Sequence, residues 1–153
     1  MKIGKVIQWD MGHRVLSHRS ICKGLHGHRY KAEICVEGEL IRELGTSEEG
    51  MVIDFADIKK TAQKFIQEEF DHAFMVWDKD EELLEFFKHS KGHKPVIVPF
   101  TPTAENVAAY IFNILKDKFS DKYNTDLHLH SIKLWETPSS YALYEIGVED
   151  SKL

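Results

Sequence analysis

His26-Gly27-His28 is the pattern in this chain that most directly suggests chemistry. Residues two apart on a β-strand point to the same side, so both imidazoles can reach one metal ion. His13 supplies a third imidazole if the strand it ends pairs with the strand carrying His26. Three neutral imidazoles leave a fourth tetrahedral position open, as in a catalytic rather than a structural zinc site. The alternative is a set of partly buried or surface histidines, because H-x-H alone is a common pattern. Clustering favours the metal: four of the nine histidines fall within the first 28 residues.

Cys22 lies four residues before His26. Thiols beside metals or imidazoles serve as bases or nucleophiles; Cys22 could instead close a structural site as a fourth ligand, or be a loop thiol without a role. Asp71-His72 places a carboxylate where it can orient an imidazole for acid–base work, although a helix-end cap is the other reading. Glu136 shares a strand face with Ile132 and Leu134. A carboxylate on an apolar face wants a partner, either a structural cation or a ligand with two N–H donors. Glu105, in the first turn of a helix, favours the helix dipole. His128 and His130 also alternate on a strand, but no nearby cysteine or third histidine supports a second metal there. His18, His89 and His93 sit in polar stretches and read as solvated, and Cys35 reads as structural. Nothing resembles G-x-x-x-x-G-K or G-x-G-x-x-G.

The elements that must position these groups follow from periodicity. Ile3 to His13 alternates with period two and reads as a half-buried strand with His13 on its apolar face. A second strand runs from His26 to Gly38, with His26, His28, Tyr30, Ala32, Ile34 and Val36 on one face. Gly45 to Gly50 is turn-like. Asp54 caps a helix to about Phe70, with Phe55, Ile58, Ala62, Phe65 and Ile66 at helical spacing. A shorter helix covers Asp80 to His89, and Pro95 to Pro102 reads as extended. Thr103 caps a second long helix to about Phe119, followed by strands over Leu127 to Glu136 and Tyr141 to Gly147. The order ββααββ predicts an α+β domain: a four-stranded antiparallel sheet with both long helices on one face. Such a sheet keeps free edges, and pairing between subunits would cover them, so a homo-oligomer is expected.

Composition sets the outer bounds. A chain of 153 residues with 42% hydrophobic content fits one domain over residues 1–153. A net charge of −5 without a basic block gives no support to nucleic-acid binding, and the apolar runs are too short to span a bilayer. Two cysteines outside any disulfide framework, with no signal-peptide pattern at the N-terminus, point to a reducing, cytoplasmic setting.

Taken together, the motifs resemble the 6-pyruvoyltetrahydropterin synthase family and its bacterial branch, 6-carboxytetrahydropterin synthase. The matching pieces are Gly12-His13-Arg14, Cys22-Lys-Gly-Leu-His26-Gly27-His28, Gly50-Met-Val-Ile-Asp54-Phe55, Asp71-His72, Pro102-Thr103-Ala104-Glu105-Asn106 and Trp135-Glu136-Thr137. They run in order from about residue 6 to residue 147. The resemblance implies the tunnelling fold, in which subunits, as a trimer or hexamer, join into a barrel with pterin sites at their interfaces. It implies zinc on His13, His26 and His28, Cys22 as proton acceptor, and Asp71 with His72 as a relay. It makes Glu136 the anchor of the pterin ring, with Thr103 and Glu105 lining the same pocket. The substrate it implies is 7,8-dihydroneopterin triphosphate. One branch yields 6-pyruvoyltetrahydropterin for tetrahydrobiopterin; the other also releases acetaldehyde and yields 6-carboxytetrahydropterin for queuosine and other deazapurines. Three residues between Cys22 and His26 resemble the carboxy branch. Two other classes stay open: a zinc hydrolase using metal-bound hydroxide, and a non-enzymatic module whose zinc is closed by Cys22. The segment from Met75 to Phe100 exceeds a minimal connection and reads as carrying a surface helix that could reshape the triphosphate entrance.

Overall fold

A computed structural model describes residues 1–121 and 124–147. The alternating N-terminal segments form strands β1 (Lys2–His13) and β2 (His26–Glu37), paired antiparallel along their whole length. Their register sets His13 opposite His26 and Met11 opposite His28, so the apolar alternation that buries Trp9, Met11 and Tyr30 also brings the three imidazoles to one place.

Asp54 accepts a hydrogen bond from Ala56 N (2.7 Å) and starts helix α1 at Phe55–Ala62. The helix continues through a π-helical turn at Gln63–Gln67 and ends with Glu68–Phe70. Ile58, Ala62, Ile66 and Phe70 are fully buried. Phe55, expected on the inner stripe, is 50% exposed because it sits in the first turn, outboard of that stripe. Strand β3 (Ala73–Trp77), helix α2 (Glu81–His89) and strand β4 (Pro95–Val98) follow. Helix α3 (Ala104–Leu115), capped by Thr103 as expected, ends one turn short of Phe119. Strands β5 (His128–Thr137) and β6 (Ser140–Glu145) close the chain.

The expected four-stranded sheet is in fact six-stranded and mixed, in the order β4-β3-β1-β2-β5-β6. The four anticipated strands form its antiparallel part, and β3 and β4 extend it in parallel from the edge of β1. The two added strands have continuous apolar runs, Ala-Phe-Met-Val-Trp and Pro-Val-Ile-Val, without the alternation that marks a half-solvated strand. Helix α3 packs on β5 and β6, and α1 packs on β1. Their inward faces meet Trp9, Tyr30, Ile34, Ile132 and Leu134 in one core. Among the described residues no helix is long and apolar enough to cross a membrane.

The segment that exceeded a minimal connection is therefore a β-α-β extension of the sheet, and Arg14 fastens it. Arg14 donates to both Asp80 oxygens (2.6 and 2.5 Å) and to Glu82 Oε2 (2.8 Å), while Asp80 accepts from Leu83 N (3.2 Å) and caps α2. Asp80 is 2% exposed. Removing one partner of so buried a pair leaves the other charge uncompensated, and Arg14→Ala is expected to lower unfolding free energy by about 3 kcal/mol. The Arg14 guanidinium, helped by the Leu83 N–H, holds the Asp80 carboxyl below the usual carboxylate range. A carboxylate depressed in this way adds stability above its unfolded pKa of about 3.9 and loses it as pH falls through the lower folded value. The stability gap between the wild type and Asp80→Asn should hold from pH 7 to about pH 5 and shrink below pH 4. Urea denaturation at pH 6 and pH 3 measures it.

Candidate active site

The ligand atoms of His13, His26 and His28 all lie within 4.8 Å of one another. His13 is 1% exposed, and its Nδ1–H donates to Pro102 O (2.7 Å). That bond leaves a lone pair on Nε2, a buried atom with no hydrogen-bond partner. Its nearest acid is Glu136, with Oε1 at 3.6 Å. His26 is oriented in the same way, donating from Nδ1 to Gly24 O (2.8 Å). Backbone carbonyls that fix the tautomer and aim the other nitrogen are the usual support of metal-binding histidines. Burial pushes His13 and His28 below the ordinary imidazole value of 6.5, which favours the neutral form that can ligate a metal. An orphaned buried nitrogen and three convergent imidazoles fit a divalent metal such as zinc.

Gly12 and Gly27, directly opposite each other between these ligands, keep the site tight. A Cβ on Gly12 would run into the Phe74 ring of β3, and one on Gly27 would meet Met11 O at 3.1 Å.

A cavity of about 300 Å³ opens over the imidazoles. Its lining includes His13, His26, Cys22, Thr103, Glu105 and Glu136, which brings six of the nine expected site residues together. Cys22 reaches it from a short 3-10 turn at Ile21–Lys23 and is half-buried; both cysteines are free thiols. Thr103 and Glu105 arrive through the N-terminus of α3, where the Thr103 hydroxyl accepts from Asn106 N (3.4 Å). Tyr30 lies beneath, its phenol pushed upward by burial and then by the Glu136 carboxylate.

His18, expected to be solvated, also lines this cavity. A signal for it existed in the sequence, four residues before Cys22 in the same short loop, but its polar neighbours hid it.

Asp71 and His72 do not enter the cavity. They follow α1 at the edge of β1, where Asp10 N donates to Asp71 Oδ1 (3.0 Å) and His72 N donates to Asp10 O (2.8 Å). His72 Nδ1 is 3.1 Å from Asp71 Oδ2, and its backbone is left-handed (φ 58°), a conformation costly for a non-glycine residue and held here by the strand edge. The Asp10 N–H holds the Asp71 carboxyl below its usual range. His72 is 81% exposed and borders a separate open depression with Gly27 and His28. His128 and His130 stand elsewhere on the sheet, beside Glu37 at 3.8 and 3.3 Å. His89 pairs with Glu85, and His93 meets the Phe86 ring at a tilt and the Phe87 ring edge to face.

The fold is an α+β domain that carries a three-histidine cluster at the end of its first hairpin, under a cavity bearing a thiol and a carboxylate. The chain belongs to the 6-pyruvoyl tetrahydropterin synthase family, whose model matches residues 2–146. It is 37% identical to the 6-carboxy-5,6,7,8-tetrahydropterin synthase of Haemophilus influenzae over 147 residues, covering 94% of this chain and 98% of that one. It is 36% identical to the protein of the same name from Rickettsia conorii over 141 residues, covering 92% and 97%. Among solved structures, one of a Wolinella succinogenes protein aligns with a TM-score of 0.77 at 27% identity, covering 95% of this chain and 98% of that chain. The 6-pyruvoyl tetrahydropterin synthase of Caenorhabditis elegans aligns with a TM-score of 0.63 at 27% identity, covering 95% and 94%.

Proposed function

We propose that this chain is a zinc-dependent lyase that converts 7,8-dihydroneopterin triphosphate and one water to 6-carboxy-5,6,7,8-tetrahydropterin, acetaldehyde and triphosphate, in queuosine or deazapurine biosynthesis in the cytoplasm. The observation that carries the reading is one cavity holding His13, His26, Cys22 and Glu136 together. The names of the bacterial relatives support the choice of product.

Zinc on His13, His26 and His28 would supply Lewis-acid stabilisation of negative charge on the substrate side chain. Glu136 accepts the two parallel N–H donors of the pterin 2-amino group and N3, which turns the side chain toward the imidazoles. Cys22, as thiolate, takes a proton from the side chain. Asp71 orients His72 through the 3.1 Å contact and His72 moves a proton on the side chain. Because His72 does not line the cavity that holds Cys22, the reading assigns it to the site of a neighbouring copy, in a homo-oligomer (trimer or hexamer) with active sites at the interfaces.

Incubation of zinc-loaded protein with 7,8-dihydroneopterin triphosphate, followed by mass spectrometry, tests the reading. The expected products are 6-carboxytetrahydropterin, acetaldehyde and triphosphate. A 6-pyruvoyl product without acetaldehyde would keep the lyase and overturn the branch. No turnover by folded, zinc-loaded protein would overturn the lyase and favour a hydrolase or a structural zinc module.

A further inference from the structure

Residues 14–25, between β1 and β2, contain Arg14, Arg19 and Lys23 and no acidic side chain. Arg14 is neutralised by Asp80 and Glu82, whereas Arg19 and Lys23 are exposed and make no ion pair among the described residues. The loop is closed on itself: Val15 N donates to Cys22 O (2.9 Å) and His18 N donates to Val15 O (2.9 Å). These two bonds set the half-buried His18 ring over the same cavity as Cys22.

The His18 tautomer is fixed by its surroundings. Ser20 N donates to His18 Nδ1 (3.0 Å), and a backbone N–H can only donate, so Nδ1 must carry a lone pair. The ring proton of the neutral imidazole therefore sits on Nε2, which makes no hydrogen bond among the described residues. The cavity lining thus has two chemically different parts. Glu136 and Glu105 bring acceptors and negative charge, while the loop brings the His18 imidazole, with the exposed Arg19 and Lys23 on the same loop outside the lining.

We propose that His18, through Nε2–H and supported by the charge of Arg19 and Lys23 on the same loop, binds the polyphosphate end of the substrate and holds it as it leaves. This rests on the pterin-triphosphate reading above and deepens it by assigning the anionic end of the substrate to the loop. The two glutamates would repel that end, whereas a hydrogen bond from an imidazole to a charged oxygen is among the stronger kinds.

Binding without turnover tests it. In zinc-loaded Cys22→Ala protein, the affinities of 7,8-dihydroneopterin triphosphate and of 7,8-dihydroneopterin are read from dihydropterin fluorescence. Adding His18→Ala should weaken the triphosphate by about tenfold to a hundredfold, leaving dihydroneopterin affinity and zinc content unchanged. His18→Gln, which keeps an N–H at similar reach, should recover most of the loss. Equal weakening of both ligands would mark His18 as a loop support and overturn the proposal, as would no change in either. If the two ligands bind Cys22→Ala protein equally well, the polyphosphate subsite falls and the lyase reading stands. If neither binds, both fall.

Discussion

Cys22→Ala and His72→Ala are each expected to cut turnover of 7,8-dihydroneopterin triphosphate by about 10²–10⁴-fold, the usual worth of a positioned acid or base. An equimolar mixture of the two variants, unfolded and refolded together, should recover about a quarter of wild-type activity, because random assembly of a site from two copies pairs an intact Cys22 with an intact His72 in one case in four. The expectation follows from position. Cys22 lines the cavity over His13 and His26, whereas His72 is exposed beside a different depression at the edge of β1. If one chain supplied both groups to a site, the mixture would stay as inactive as its components. A hydrolase working through metal-bound hydroxide would lose little on Cys22→Ala, so the single variant already separates the two classes of enzyme.

His13→Ala is expected to weaken zinc binding by well over 100-fold, more than the loss usual for a residue that merely supports a ligand, and to abolish turnover with it. His13 is the most buried of the three imidazoles, tied to Pro102 O on one side and presenting an unpartnered nitrogen on the other. His128→Ala is the matched control. It removes a strand histidine of the same H-x-H spacing, but one beside Glu37 and outside the three-histidine group, so zinc content and activity should not change.

The local parts of this site were legible because they depend on periodicity alone. Period two in β1 and β2 put His13, His26 and His28 on one face, and pairing needed only a hairpin register to bring them within 4.8 Å. The caps at Asp54 and Thr103 were equally local. What escaped depends on neighbours distant in sequence. Strands β3 and β4 are short apolar runs that become strands because β1 offers an edge to β3, and β3 in turn offers one to β4. His18 looks solvated until the Val15–Cys22 hydrogen bond folds its loop over the cavity. The separation of Asp71-His72 from Cys22 is set by the end of α1 meeting Asp10, which no spacing rule expresses.

On the proposed function, a zinc ion on His13, His26 and His28 is required for the chemistry of the cavity above it. Stripping metal from the wild-type protein with a chelator, then restoring zinc in steps while following turnover of 7,8-dihydroneopterin triphosphate, tests this most directly. Activity should vanish in the stripped protein and return in proportion to bound zinc, saturating at about one ion per chain. Full turnover by metal-free protein, or zinc uptake undiminished in His13→Ala, would contradict it.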